Sequence, residues 1–105
     1  MKRDKVLSYI GLATKAGRLV SGEFMSEKAT KEGKATMVIV ACDASENTKK
    51  KFKDMCAFYK VPLYFYSDKL SLGHAMGKEL RASLAIVDKG FAGEITKLIG
   101  KDSIA

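Results

Sequence analysis

Proline occurs once in 105 residues, histidine once and cysteine twice, and no stretch is dominated by Ser, Gly or Gln. That scarcity of proline and of low-complexity sequence excludes an extended linker or a disordered scaffold. Cys42 and Cys56 have no CxxC or CxxH neighbours, so neither a disulfide framework nor a zinc site is indicated. Both stand among apolar residues and are expected to be reduced, buried thiols. His74 has no Asp or Cys at catalytic spacing, and a structural or surface role is expected for it. Cys42 lies between an apolar strand and a helix start, where a thiolate would be stabilised. A cysteine phosphatase, however, needs C-x5-R to clamp the phosphoryl oxygens, and the sixth residue after Cys42 is Thr48. Gly73 to Gly77 lacks the G-x-x-x-x-G-K-[ST] pattern of a phosphate loop. With no Ser-His-Asp set and no carboxylate pair near the histidine, the sequence gives no basis for an enzyme, a cofactor or a metal. No apolar run approaches the roughly 20 residues that span a bilayer, and no apolar h-region follows Met1-Lys2-Arg3-Asp4-Lys5. No membrane partner and a cytoplasmic location are therefore expected.

What the chain does have is a core and an excess of positive charge. With 47% hydrophobic and 30% charged residues it has the composition of a globular domain, and its length fits one domain over residues 1–105. Nineteen Lys+Arg against twelve Asp+Glu leave +7, which favours a polyanionic partner through long-range attraction and counterion release.

The periodicity alternates along the chain. Val6, Leu7, Ile10 and Ala13 recur at helical spacing and stop at Gly17; a short Leu19-Val20 segment follows. A second helix runs from Phe24 to Glu32 and closes at Gly33. Thr36 to Ala41 is continuously apolar and β-branched, the signature of a central strand covered on both faces. Asp43, Ser45 and Asn47 are capping residues before a helix that buries Phe52, Met55, Cys56 and Tyr59. Val61-Pro62 opens a strand through Tyr66, Asp68 caps a short helix ending at Gly77, and Leu84 to Val87 forms another strand. Phe91, Ile95, Leu98 and Ile99 make a last helix. The order αβαβαβαβα predicts an α/β fold, a three-layer α/β/α sandwich over a four-stranded mixed sheet, with ligands at the strand ends and helix starts.

Val20-Ser21-Gly22-Glu23, Cys42-Asp43-Ala44-Ser45 with Asn47-Thr48 and Lys50-Lys51, Val61-Pro62, Leu72-Gly73 with Ala75, Gly77-Lys78-Glu79, Arg81 and Gly90-Phe91-Ala92 occur in that order. From about Lys5 to Leu98 this pattern resembles the bacterial branch of the ribosomal protein L-seven-Ae / L-thirty-e superfamily. The resemblance implies an L-thirty-e-like fold and binding of kink-turn RNA, the bent internal loop with tandem sheared G·A pairs, in rRNA, riboswitches or other structured RNA. The family signature G-x-N-E-x-x-K falls on Gly22 to Lys28: Gly22 and Lys28 match, while Phe24 and Met25 replace the guanine-reading Asn-Glu pair. Glu23 sits one residue early. The second RNA-facing element follows Leu72-Gly73-His74-Ala75-Met76-Gly77, and here it supplies Lys78 and Arg81 with Leu80 between them. The RNA-binding residues implied are Ser21, Gly22, Glu23, Lys28, Lys78, Leu80 and Arg81.

Elementary chemistry agrees with that placement. A helix starting after Gly22 offers free N–H groups and a positive dipole end to phosphate. Folded RNA is recognised largely by shape, backbone contacts and splayed bases. The Lys49-Lys50-Lys51-Phe52-Lys53 run is expected to be mainly a solvated helix face, with an RNA-backbone stripe the alternative. Tyr64 and Tyr66, alternating with Leu63 and Phe65, are expected to pack rather than stack on bases. The expected function is therefore RNA binding by a monomer, with ribosome-linked RNA the partner and DNA not expected. The rival classes are a protein-interaction or substrate-recognition adaptor and, a distant third, a cysteine-dependent enzyme.

Overall fold

Capping chemistry places the helices where the periodicity predicts them. The computed structural model describes residues 4–102 and contains α1 (Lys5–Lys15), β1 (Leu19–Ser21), α2 (Glu23–Lys31), β2 (Met37–Val40), α3 (Glu46–Tyr59), β3 (Leu63–Phe65), α4 (Lys69–Ala75), β4 (Ser83–Ile86) and α5 (Lys89–Asp102). Asp4 starts α1 by accepting the Leu7 N–H at 3.0 Å, Ser45 starts α3 by accepting the Thr48 N–H at 3.1 Å, and Asp68 starts α4 by accepting the Ser71 N–H at 2.7 Å. Each satisfies one of the amides that a first helical turn leaves unpaired. Helices α1, α2 and α4 close on a left-handed glycine, with the following N–H returning to the last turn, as from Arg18 to the Ala13 carbonyl at 2.9 Å.

The four strands form one mixed sheet in the order β1-β4-β2-β3. β4 runs antiparallel to both neighbours, with Val20 opposite Ala85 and Val38 opposite Ala85, while β2 and β3 are parallel, with Ile39 opposite Tyr64. Central strands β2 and β4 are buried along their whole length, and edge strands β1 and β3 are half-buried. The continuous apolar run of β2 has this cause, because helices cover both of its faces.

Alternation along the strands sends side chains into two cores. Met37, Ile39, Leu84 and Ile86 pack with Val6, Ile10, Leu72, Ile95 and Ile99 of α1, α4 and α5. Val38, Val40 and Ala85 pack with Ala29, Phe52, Met55 and Cys56 of α2 and α3. Tyr64 and, just past the end of β3, Tyr66 join the first core, while Leu63 and Phe65 join the second, so all four residues pack. The three-layer α/β/α arrangement is thus observed. Among the described residues no helix is long and apolar enough to cross a membrane, and no cluster of His, Cys, Asp and Glu could hold a metal.

Two expectations of burial are overturned, since Tyr59 at the end of α3 is exposed and so is one of the two cysteines. Cys42 is exposed, whereas Cys56 is buried as expected. Strand β2 ends at Val40, so Cys42 already lies in the turn that leaves the core.

Candidate nucleic-acid interface

Sheet direction determines which groups meet. β1, β2 and β3 end, and antiparallel β4 begins, at the same edge, so α2, α3 and α4 all start along one rim. Three positive dipole ends therefore face the same side.

The two segments singled out by sequence are joined here. The Gly22 N–H donates to the Ser83 carbonyl at 2.9 Å, and Ser21 stands opposite Leu84, so Ser21-Gly22-Glu23 lies alongside the chain emerging from Leu80-Arg81. The Ala41 N–H holds the Ala82 carbonyl at 2.8 Å, and the Arg81 N–H holds the Lys69 carbonyl at 3.1 Å. Gly22 has φ +92 and ψ 159, a backbone that an L side chain rarely adopts, and this turns the chain from β1 directly into α2. The loop after α4 is set by a close approach: a Cβ on buried Gly73 would lie 1.8 Å from the Glu79 carbonyl oxygen. The Lys78 N–H returns to the Gly73 carbonyl at 2.7 Å, so the loop carrying Lys78, Leu80 and Arg81 is held against α4.

The helix starts on this rim are not equivalent. Side-chain oxygens cap α3 and α4, and the Lys69 N–H of α4 also donates to Asp43 at 2.9 Å. Asp43 thus serves α4, not the α3 start that its sequence position suggests, and Asn47 lies inside α3. Gly22 supplies no side-chain cap to α2, leaving that first turn its free amides.

The charges also divide. Glu23 accepts from Lys51 at 3.0 Å and from Thr48 at 3.4 Å, and Lys51 is further paired with Glu27, which binds Lys31 at 2.7 Å. Hydrogen bonds from Lys31 and Lys51 hold the Glu27 carboxyl below the usual carboxylate range, and Glu27 and Glu23 in turn raise Lys51 above the usual lysine range. Lys51 is therefore a clamp between α2 and α3. Within the same lysine run, Lys49 pairs with Glu46 at 3.5 Å, Lys53 sits 5.6 Å from the Phe65 ring centroid, and Lys50 is exposed. Lys28, Lys78 and Arg81, by contrast, have no carboxylate partner among the described residues. Arg81 Nη1 donates to the neighbouring Leu80 carbonyl at 2.8 Å. Lys28 lies one turn beyond Phe24 on the exposed side of α2, and both side chains are open to solvent.

Of the residues anticipated from sequence, Ser21, Gly22, Leu80 and Arg81 are brought together, Lys78 stands on the same loop, and Lys28 lies down the adjoining helix. Glu23 is at the rim but its carboxylate is engaged by α3. The Lys51 clamp was missed; the Glu23, Glu27, Lys31 spacing marks a charged stripe on α2 without saying what faces it.

Known proteins match the chain in sequence and in fold. Residues 4–96 match the model of the Ribosomal protein L7Ae/L30e/S12e/Gadd45 family. The chain is 40% identical over 90 residues to the RNA-binding protein YlxQ of Bacillus subtilis, covering 86% of this chain and 90% of that one. It is 42% identical over 97 residues to the protein of the same name from Enterococcus faecium, covering 92% and 93%. A solved structure of a Bacillus halodurans protein of unknown function superposes with a TM-score of 0.89 at 38% identity, covering 92% of this chain and 98% of that one. By the extent of these matches, this chain belongs to the ribosomal protein L7Ae/L30e/S12e/Gadd45 family.

Proposed function

We propose that this protein binds structured RNA of kink-turn type, in rRNA or another ribosome-linked RNA, as a single copy and without catalysing a reaction. The observation that carries the reading is the rim itself: an uncapped α2 start hydrogen-bonded to β4, with Lys28, Lys78 and Arg81 unpaired around it among the described residues. Free amides and a helix dipole suit a phosphate, and unpaired cations release counterions when they meet an RNA backbone. A bent RNA presents phosphates and splayed bases together, matching a rim whose donors come from two segments rather than one stripe. The names of the YlxQ relatives favour the same class of ligand.

The test is a titration against a kink-turn, a duplex of equal length, and the same kink-turn with its G·A pairs replaced. The kink-turn should bind tightest. Loss of the G·A pairs should cost less than straightening the RNA, since Phe24 and Met25 offer no hydrogen-bonding side chain to the guanines. Equal affinity for duplex and kink-turn would leave only non-specific polyanion binding.

A further inference from the structure

Resting on that reading, we propose that Phe24 is the stacking platform for one unpaired base of the bound RNA. Among the described residues seven large apolar side chains are exposed: Leu12, Phe24, Met25, Phe58, Tyr59, Leu70 and Leu80. Leu12, Phe58 and Tyr59 lie toward the far ends of helices that start near the rim, whereas Phe24, Met25, Leu70 and Leu80 stand on it. Phosphate recognition alone makes no use of such groups.

Phe24 is the most open of the four, 74% exposed on the first turn of α2, and belongs to neither core. Phe58 is as open at 77%, but its ring meets Tyr59 edge-on with centroids 4.9 Å apart. Phe24 has no ring partner among the described residues. Its surroundings decide what would cover it. Lys28 lies one turn along the helix, and Arg81 and Lys78 come from the adjacent loop. The acidic groups at the starts of α2, α3 and α4 are Glu23, already bound by Lys51 and Thr48, Glu46, paired with Lys49, Asp43, which holds the Lys69 N–H, and Asp68, which holds the Ser71 N–H, while Glu79 is exposed on the loop after α4. A planar apolar face with one unpaired cation a turn along its helix and two more on the adjoining segment complements a base flanked by phosphates. An apolar peptide would leave the cations unused. Stacking also accepts any base, so this contact selects for a base that is unpaired rather than for its identity.

The test measures affinities for a synthetic kink-turn, intact or with each unpaired loop nucleotide made abasic in turn, with the wild type and with Phe24→Ala, Phe24→Tyr and Phe24→Leu. At its exposure Phe24→Ala should keep the fold, checked by circular dichroism and Tm. It should weaken binding on the order of tenfold, with Phe24→Tyr near wild type and Phe24→Leu close to Phe24→Ala. At one loop position the abasic RNA should weaken the wild type by a similar factor and cost Phe24→Ala nothing more. The proposal is overturned alone if the kink-turn is still preferred over duplex but Phe24→Ala binds like wild type. The same follows if Phe24→Leu matches Phe24→Tyr, or if the two losses multiply at every loop position. No preference for the kink-turn by the wild type takes down the parent reading as well.

Discussion

Helices α2 and α3 start side by side at the same end of the sheet, and both carry lysines and glutamates through their first two turns. Their starts nevertheless hold different things in reserve. α3 is capped by Ser45, and its Lys49 and Lys51 are paired with carboxylates. α2 is uncapped, its Lys28 is unpaired among the described residues, and its Phe24 is exposed. Lysine count alone would point to α3 as the anion-binding helix. Pairing points to α2, because a cation that already neutralises a carboxylate releases few counterions on meeting a phosphate.

The comparison is most strongly challenged at the loop that completes the α2 side. Gly73→Ala would put a Cβ 1.8 Å from the Glu79 carbonyl oxygen, a backbone atom that cannot rotate away. The loop must shift, with an expected stability loss of about 1–3 kcal/mol, the range for overpacking. Urea unfolding should register that loss. RNA affinity should fall as well, because Leu80 and Arg81 move with the loop. A variant with full stability and full affinity would refute the argument that this close approach positions the rim.

Next come the cations. Lys28→Ala and Arg81→Ala should each weaken RNA binding by about 1–3 kcal/mol and lower the slope of log K against log salt by about one, with the fold intact. Lys49→Ala and Lys50→Ala should cost less. Titrations at several salt concentrations decide between the helices, and a larger loss from the α3 lysines would move the RNA from the α2 start onto α3.

The clamp gives a smaller effect on stability, with a definite sign. Glu27 has a lowered pKa in the folded state, so its contribution is present above the usual carboxylate range and is lost as pH falls through that lowered value. Lys51 is raised, so its contribution is present below the usual lysine range and is lost only as pH rises through the raised value. Both groups are partly open to solvent, which limits the pair to at most about 1 kcal/mol. Glu27→Gln should therefore be slightly less stable than wild type across neutral pH, with the difference closing below about pH 4, where Glu itself protonates. Thermal unfolding at pH 3 and pH 7 checks this.

These contrasts explain what the sequence makes legible. Helix ends at Gly17, Gly33 and Gly77, the Ser45 cap and the buried β2 run are local signals, carried within a few residues. The roles of Asp43 and Lys51 are not local. Asp43 caps a helix start 26 residues downstream, and Lys51 meets Glu23 across 28 residues because α2 and α3 cover the same face of the sheet. Contacts of that kind exist only once the strand order β1-β4-β2-β3 is known. The candidate rim is legible residue by residue, but which of its charges remain unpaired is a property of the fold.

The two cysteines carry the same lesson at the scale of a few residues, and they yield the prediction with the least energetic consequence. Apolar neighbours precede Cys42 and Cys56 alike, yet Cys42 lies two residues past the end of β2 and is exposed, while Cys56 faces the second core from α3. Burial pushes the Cys56 thiol up to about 11, because a thiolate there would lose its hydration, so at neutral pH it is both inaccessible and protonated. A thiol reagent added to the native protein near pH 7.5 should modify Cys42 alone. Cys56 should follow at the rate at which the core opens, and immediately in denaturant. Cys42→Ser should change stability by no more than about 0.5 kcal/mol, the range for exposed substitutions, and should leave RNA affinity unchanged. Mass spectrometry of the labelled peptides separates the two sites. Native labelling of Cys56 at the rate of Cys42 would mean that α3 does not seal the second core, and the contrast between a fixed α3 and an open α2 would fail with it.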